Sequence, residues 1–280
     1  MGAILCWASL PAATGSGLAE LATEELMFFS FTSAAVFLYT KDILLTRSFT
    51  LFIPNLKGML LGVWGIFIYH YVYYMALSRA PLAEGAILAT TWAFWIVVIS
   101  SVILFRKLKP SILITALVGM VGAGLVISSG KDLSFNSEYM QGYLLALACG
   151  LIWSSFSVAL SHIKMKREPM TTFTIVAAIL SALLYLLTMP HEVPSLKALC
   201  AAIYLGCIPL GLSFFLWNRA VTKGNMVIIG FLSYLTPPLS VLLVALVHGK
   251  TVSPQVLVGM TVIIVASIVG RFSLAKSAPR

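Results

Sequence analysis

Charge is what this sequence has little of. Asp, Glu, Lys and Arg together make up 10% of its 280 residues, where a soluble domain carries about 25%. With 60% of residues hydrophobic, too little polar surface remains to cover a particle in water, and lipid is the expected solvent. Acidic residues are scarcest, 9 against 18 basic ones, and none falls near the centre of an apolar run: Glu84 and Glu138 sit at the edges. The net charge of +9 does not describe a nucleic-acid surface, because the basic residues are few and lie in short gaps between apolar runs. Cysteine is equally sparse. Cys6, Cys149, Cys200 and Cys207 all lie inside apolar runs, whereas a disulfide framework or zinc site needs them clustered in polar loops. They read as small packed hydrophobes. Paired intramembrane aspartates, a Ser–His dyad and HExxH are all missing. No catalytic residue, metal or cofactor is therefore expected, and the chain does not read as an enzyme. No basic stretch precedes the first apolar run, so Met1 to Leu18 reads as a first span rather than a cleavable signal peptide. The numbering leaves room for a longer native tail.

Long apolar runs are what the chain has in abundance. A bilayer core about 30 Å thick needs roughly 20 apolar residues per helix. Ten runs meet or approach that: 2–18, 26–40, 58–78, 84–105, 110–129, 141–161, 170–189, 197–217, 225–247 and 254–270. They are called spans 1 to 10 below. The gaps are too short for a soluble domain. A transmembrane barrel would alternate apolar and polar residues, and "SILITALVGMVGAGLVI" does not.

Lys and Arg in alternate loops set the orientation. On the N-terminal side lie Lys41, Arg47, Lys57, Arg106, Lys107, Lys109, Lys164, Lys166, Arg167, Arg219, Lys223, Arg271, Lys276 and Arg280. The other side holds Arg79, Lys131, Lys197 and Lys250. Fourteen against four places both termini in the cytoplasm and the chain in a cell inner (plasma) membrane. A reporter active only in the cytoplasm should give signal when fused at Arg280 and none between Lys131 and Glu138. The reverse pattern would remove the ten-span reading.

The chain also repeats itself. "CWASLPAATGSGL" from Cys6 resembles "IWSSFSVALSHI" from Ile152, with Trp7 on Trp153. Lys57 falls on Lys197, Arg79 on Arg219, and Phe94-Trp95 on Pro237-Pro238, at offsets of 140 to 146 residues. Each half then holds five spans, 1–130 and 131–280. Five is odd, so the second copy enters the membrane from the opposite side. The expected fold is all-α and integral to the membrane: ten transmembrane helices as two inverted five-helix repeats around a central cavity.

Polar groups inside a span are costly and therefore informative. His70, near the middle of span 3, reads either as a proton- or substrate-binding group or as an imidazole bonded to a neighbouring helix. Pro11, Pro209 and the pair Pro237-Pro238 interrupt spans 1, 8 and 9. Each removes an N–H and frees a carbonyl, tolerated where it lines a cavity or meets another helix. Tyr69, Trp92 and Trp95 lie too deep for an interfacial belt, each reading singly as plain core, and Tyr73 belongs to the same aromatic run of span 3 as Tyr69. Together with Trp7, Trp153, Tyr234 and the hydroxyls of Thr91, Ser154, Ser155, Ser233 and Thr236, they describe a cavity for a flat, partly polar solute. Pro237 completes this candidate substrate-binding set.

The two five-helix repeats, Trp153-Ser154-Ser155 and "YLTP" in span 9 resemble the EamA-type branch of the drug/metabolite transporter superfamily. The resemblance tightens at Trp217-Asn218, Gly224-Asn225 and Ser233-Tyr234-Leu235-Thr236-Pro237. It implies export of aromatic and other neutral amino acids by alternating access, through a cavity lined by spans 1, 3, 4, 6, 8 and 9. The implied partners are that small-molecule substrate and the lipid bilayer, with no oligomer required. Phe94 occupies the position of the family's proline in span 4, so the kink expected there loses its usual cause. With no fixed charge at the midplane except His70, transport is expected to be facilitative or weakly coupled. The alternatives are an exporter of another small neutral metabolite or drug, and a proton-coupled carrier using His70. From a different class, a channel or a structural membrane subunit is a further reading, and an inverted repeat with broken helices argues against a passive scaffold.

Overall fold

In lipid every backbone N–H and C=O must find a partner within the protein, which favours helices wherever an apolar run is long enough. The computed structural model describes residues 1–128, 135–188, 194–248 and 252–277, and every regular element among them is helical. Lys131, Lys250, Arg280 and the expected boundary at residues 130 and 131 lie outside the described residues. Nine helices there are long and apolar enough to cross a membrane, and they correspond to spans 2 to 10. Span 1 is present as two short helices, Gly2–Ala8 and Leu10–Leu18. Spans 2 (Thr23–Thr46), 5 (Pro110–Ser128), 6 (Met140–His162), 7 (Met170–Thr188) and 10 (Pro254–Ser277) are continuous α-helices. Span 2 is longer than its apolar run. It starts where the Glu25 carboxylate accepts from the Ala22 N–H and stops at Arg47, which adopts φ 52° and places a cation on the helix C-terminus.

The five remaining spans are irregular, and the irregularities of spans 3 and 4 recur in spans 8 and 9. Span 3 runs Leu56–Gly62, a π-helical Val63–Ile68, then Tyr69–Ser78. Span 8 runs Leu196–Leu205, a π-helical Gly206–Leu212, then Ser213–Lys223. Span 4 breaks between Leu82–Ala89 and Trp92–Phe105, and span 9 between Met226–Ser233 and Thr236–His248. A helix is rarely π, and such turns gather at functional sites. Finding them in the third span of each half, with a break in the fourth, repeats the architecture of one copy in the other.

The break in span 4 does not need a proline. The Thr90 hydroxyl donates to Ala86 O at 2.7 Å and the Thr91 hydroxyl to Leu88 O at 2.7 Å. These hydroxyls occupy carbonyls of the preceding turn and let the chain bend there. In span 9 the Thr236 hydroxyl donates to Ser233 O at 2.9 Å, the carbonyl that the missing N–H of Pro237 would otherwise leave open. Pro237 and Pro238 then sit in the first turn of the second half-helix, where their fixed φ suits the backbone.

Small residues set how closely the spans approach. Spans 5 and 10 touch backbone to backbone: a Cβ on Gly122 would lie 3.0 Å from Gly259 O, and one on Gly259 2.8 Å from Gly122 O. Such contacts are how helices associate where lipid offers no hydrophobic drive.

Candidate functional site

Six of the spans converge on one internal cavity of about 70 Å³. Span 1 contributes Trp7, Leu10 and Pro11; span 3, Tyr69, His70 and Tyr73; span 4, Ala86, Ala89, Thr90 and Trp92; span 6, Trp153; span 8, Phe214; span 9, Thr236. All five irregular spans meet here, joined by the continuous span 6. Their bends carry Leu10, Pro11, Thr90 and Thr236 inward, close to where each helix is interrupted.

One end of the cavity is closed by tryptophan. The Trp7 ring lies 5.9 Å from Trp92, 5.4 Å from Trp153 and 5.0 Å from Trp217, centroid to centroid. Trp217 in turn lies 5.8 Å from Trp92 and 6.1 Å from Trp153. Most of these pairs are edge-to-face or tilted, as the ring quadrupoles prefer. Two indole N–H groups anchor the layer: Trp7 donates to Pro209 O at 3.0 Å, and Trp217 to the Ser157 hydroxyl at 3.1 Å. The rest of the cavity extends from this layer past Tyr73 and Ala86, toward the turn joining spans 3 and 4.

His70 stands in the side wall, nearly fully buried. Its Nδ1 lies 2.7 Å from Ile66 O. A carbonyl only accepts, so Nδ1 carries the proton and Nε2 keeps a lone pair. Around the imidazole stand Tyr69 at 4.7 Å, Phe31 at 5.3 Å and Phe214 at 5.5 Å. Among the described residues no Asp, Glu, Lys or Arg lines the cavity. The polar groups offered there are hydroxyls, an imidazole and backbone.

Of the residues selected from the sequence, the structure brings Trp7, Tyr69, His70, Tyr73, Trp92, Trp153 and Thr236 together in the wall. The others stand elsewhere, several of them because adjacent residues on a helix point about 100° apart. With Trp153 directed inward, Ser154 turns back to Leu151 O at 3.1 Å. Ser155 comes to the outer surface, where it accepts from Trp64 Nε1 at 3.0 Å. Thr91 lies against Gly150 of span 6, while its neighbour Thr90 faces the cavity. Ser233 bonds Ile229 O at 2.8 Å. Tyr234 is fully buried behind the wall, resting on Gly119 and donating to Ala116 O at 2.8 Å. Trp95 is half-buried against Phe94, and Pro237 is buried in the turn that starts its half-helix. Leu10, Pro11, Ala86, Ala89, Thr90 and Phe214 are wall residues outside that set, and Trp217 backs the wall. For Phe214, Trp217 and Val221 a signal was present: their i, i+3, i+7 spacing marks the buried face of span 8.

The profile of the EamA-like transporter family matches this chain over residues 1–128 and 140–270. The aromatic amino acid exporter YddG of Ancylobacter novellus is 35% identical over 216 residues, covering 76% of this chain and 74% of that protein. The aromatic amino acid exporter YddG of Salmonella typhimurium is 26% identical over 162 residues, covering 57% of this chain and 55% of its own. A solved crystal structure superposes with a TM-score of 0.85 at 30% identity, covering 97% of this chain and 94% of the other.

Proposed function

Because the chain belongs to the EamA-like transporter family, and so is a multi-pass membrane transporter of a small molecule, we propose that it exports neutral amino acids from the cytoplasm, aromatic ones preferred. The observation that carries this reading is the aromatic cavity built by six spans without a charged side chain. Tyr69, Trp92 and Trp153 offer ring surface to a flat side chain, worth about 0.5–1.5 kcal/mol per well-placed ring pair. The α-ammonium and α-carboxylate meet neutral dipoles, each contributing about 0.5–1.5 kcal/mol net. Weak affinity and selection by side chain follow. The relatives named for aromatic amino acid export support the substrate class.

A cavity of about 70 Å³ is well below the roughly 300–1,000 Å³ of ordinary ligand pockets. The wall must therefore open to admit an amino acid, and the inverted repeats supply the rocking motion. The test is uptake of labelled L-phenylalanine into proteoliposomes, competed by a panel of solutes. Trp, Tyr, Phe and Leu should compete well; Asp, Glu, Lys and Arg should not, since their extra charge finds no partner in the wall. Better competition by sugars or nucleobases than by any amino acid would move the assignment to another metabolite.

Proton coupling is the second reading, favoured by the position of His70 in the wall. Facilitative transport is the expected outcome. His70→Gln should keep at least half of the downhill rate for L-phenylalanine, with and without a pH gradient. A wild-type rate abolished by collapsing the gradient would instead make His70 the proton carrier.

A further inference from the structure

A second hollow, of about 500 Å³, lies at the opposite end from the aromatic cavity, between the link joining spans 6 and 7 and the last turns of span 8. The two are one turn apart along span 8: Phe214 lines the cavity, and Asn218 lines this vestibule. The charge asymmetry of the loops assigns the vestibule to the cytoplasmic face.

Its lining combines two kinds of group. The first is a pair of buried acceptors. Asn218 is only 6% exposed; its Nδ2 donates to Glu168 Oε1 at 3.3 Å, which orients the amide and directs Oδ1 away from that bond. Asn218 Oδ1 and Glu168 Oε2 accept no hydrogen bond from any described residue. Glu168 Oε2 has one charged neighbour, Lys41 Nζ at 3.6 Å, itself held by Asp42 at 2.8 Å. Burial pushes the Glu168 carboxyl above its ordinary value, against the pull of Lys41. Buried polar atoms nearly always find a partner; Asn218 Oδ1 has none among the described residues and Glu168 Oε2 has only the long ion pair to Lys41, so this wall has acceptor capacity left for an outside donor. The second kind is a rim of exposed cations: Lys166, Arg167, Arg219 and Lys223. A ligand bearing only a positive charge would meet that rim unfavourably, and one bearing only a negative charge would face the open acceptors. A small zwitterion satisfies both with charge-assisted hydrogen bonds.

We propose that this vestibule is a second binding site, which takes the zwitterionic end of an amino acid. The ammonium sits on Asn218 Oδ1 and Glu168 Oε2, the carboxylate among the rim cations. The proposal rests on the amino acid reading above and adds a division of labour: the vestibule reads the backbone end that all amino acids share, and the aromatic cavity reads the side chain. The vestibule is then blind to the side chain.

The test uses the full-length chain in proteoliposomes, with Cys6, Cys149, Cys200 and Cys207 replaced and single reporter cysteines at Thr222→Cys in the vestibule or Tyr73→Cys in the cavity. A charged water-soluble maleimide labels each, and protection by added solutes is followed. At Thr222→Cys, glycine and L-phenylalanine should protect with midpoints within about threefold of each other. Phenethylamine and 3-phenylpropionate should need at least tenfold more. Adding Asn218→Leu should abolish this protection, while Asn218→Asp, which keeps the acceptor, should retain it. At Tyr73→Cys, L-phenylalanine should protect far better than glycine. No protection at Thr222→Cys alongside protection at Tyr73→Cys overturns the vestibule site and leaves the transport reading standing. Protection at Thr222→Cys that tracks side-chain size, or that 3-phenylpropionate matches, also overturns it. Protection at neither position overturns both. Protection at Thr222→Cys alone supports the vestibule and removes the cavity assignment.

Discussion

Trp7→Ala is expected to cost this transporter about 3–5 kcal/mol of stability, the range for removing a large buried aromatic, and to erase the proposed preference for aromatic substrates. Trp7 is the shared member of the tryptophan layer. Its ring contacts Trp92, Trp153 and Trp217, and its N–H holds Pro209 O in the π-helical stretch of span 8. Removing the side chain takes away three ring pairs and one buried hydrogen bond together. Trp7→Phe separates the contributions: it keeps a ring in the layer and loses the donor, worth about 1 kcal/mol, together with the volume of the second ring. The check is thermal unfolding in detergent together with competition of L-phenylalanine uptake by leucine. Trp7→Ala should bring phenylalanine and leucine to within about twofold of each other, with Trp7→Phe between it and the wild type. Unchanged preference in a folded Trp7→Ala protein would show that the aromatic wall does not select the substrate.

Gly206→Ala should be nearly as damaging for a different reason. Gly206 opens the π-helical stretch of span 8, where span 2 crosses so closely that an added Cβ would lie 2.3 Å from Ser30 O and 2.6 Å from Ser33 Cβ. A flexible side chain could swing aside, but Ser30 O is backbone inside a continuous helix. Overfilling a close contact costs about 1–3 kcal/mol, sometimes more, and here it displaces a helix that bounds the site. A fall in the unfolding midpoint on the order of 10 °C is expected, with transport lost in proportion. Gly124→Ala is the matched control. Its Cβ would meet nothing nearer than Ile87 at 4.0 Å, and alanine is the better helix former by about 1 kcal/mol, so its midpoint should hold or rise. Equal midpoints for the two variants would mean that spans 2 and 8 are not held at this distance.

Much of the fold was legible because the bilayer imposes long periods and strict costs. Nine of the ten apolar runs became helices long enough to cross a membrane and the first became two short helices, and the internal repeat at 140 to 146 residues returned as matched irregularities in spans 3 and 8 and in spans 4 and 9. Span 4 shows the limit. Phe94 stands where proline was expected, yet the helix still breaks, because Thr90 and Thr91 bend it through their hydroxyls. Proline is not the sole residue that can interrupt a helix, and a hydroxyl's partner is not written in its own position.

By itself the sequence determined that this is a membrane protein of helical, repeated build with a deep set of aromatic residues and no charged midplane. Composition and span length decide those matters through the large cost of placing charge and unpaired backbone in hydrocarbon. Only the tertiary structure decided which of the deep residues form one wall. Trp153 faces inward while Ser154 and Ser155 do not, and Thr90 lines the cavity while Thr91 lies on Gly150. One residue along a helix is a turn of about 100°, so a stretch rich in candidates can present only some of them to the site. Which ones it presents is set by where the neighbouring helices cross. Asn218 and Glu168 belong to the same class: separated by 50 residues in the chain, they are brought together at 3.3 Å by the crossing of span 8 over the start of span 7.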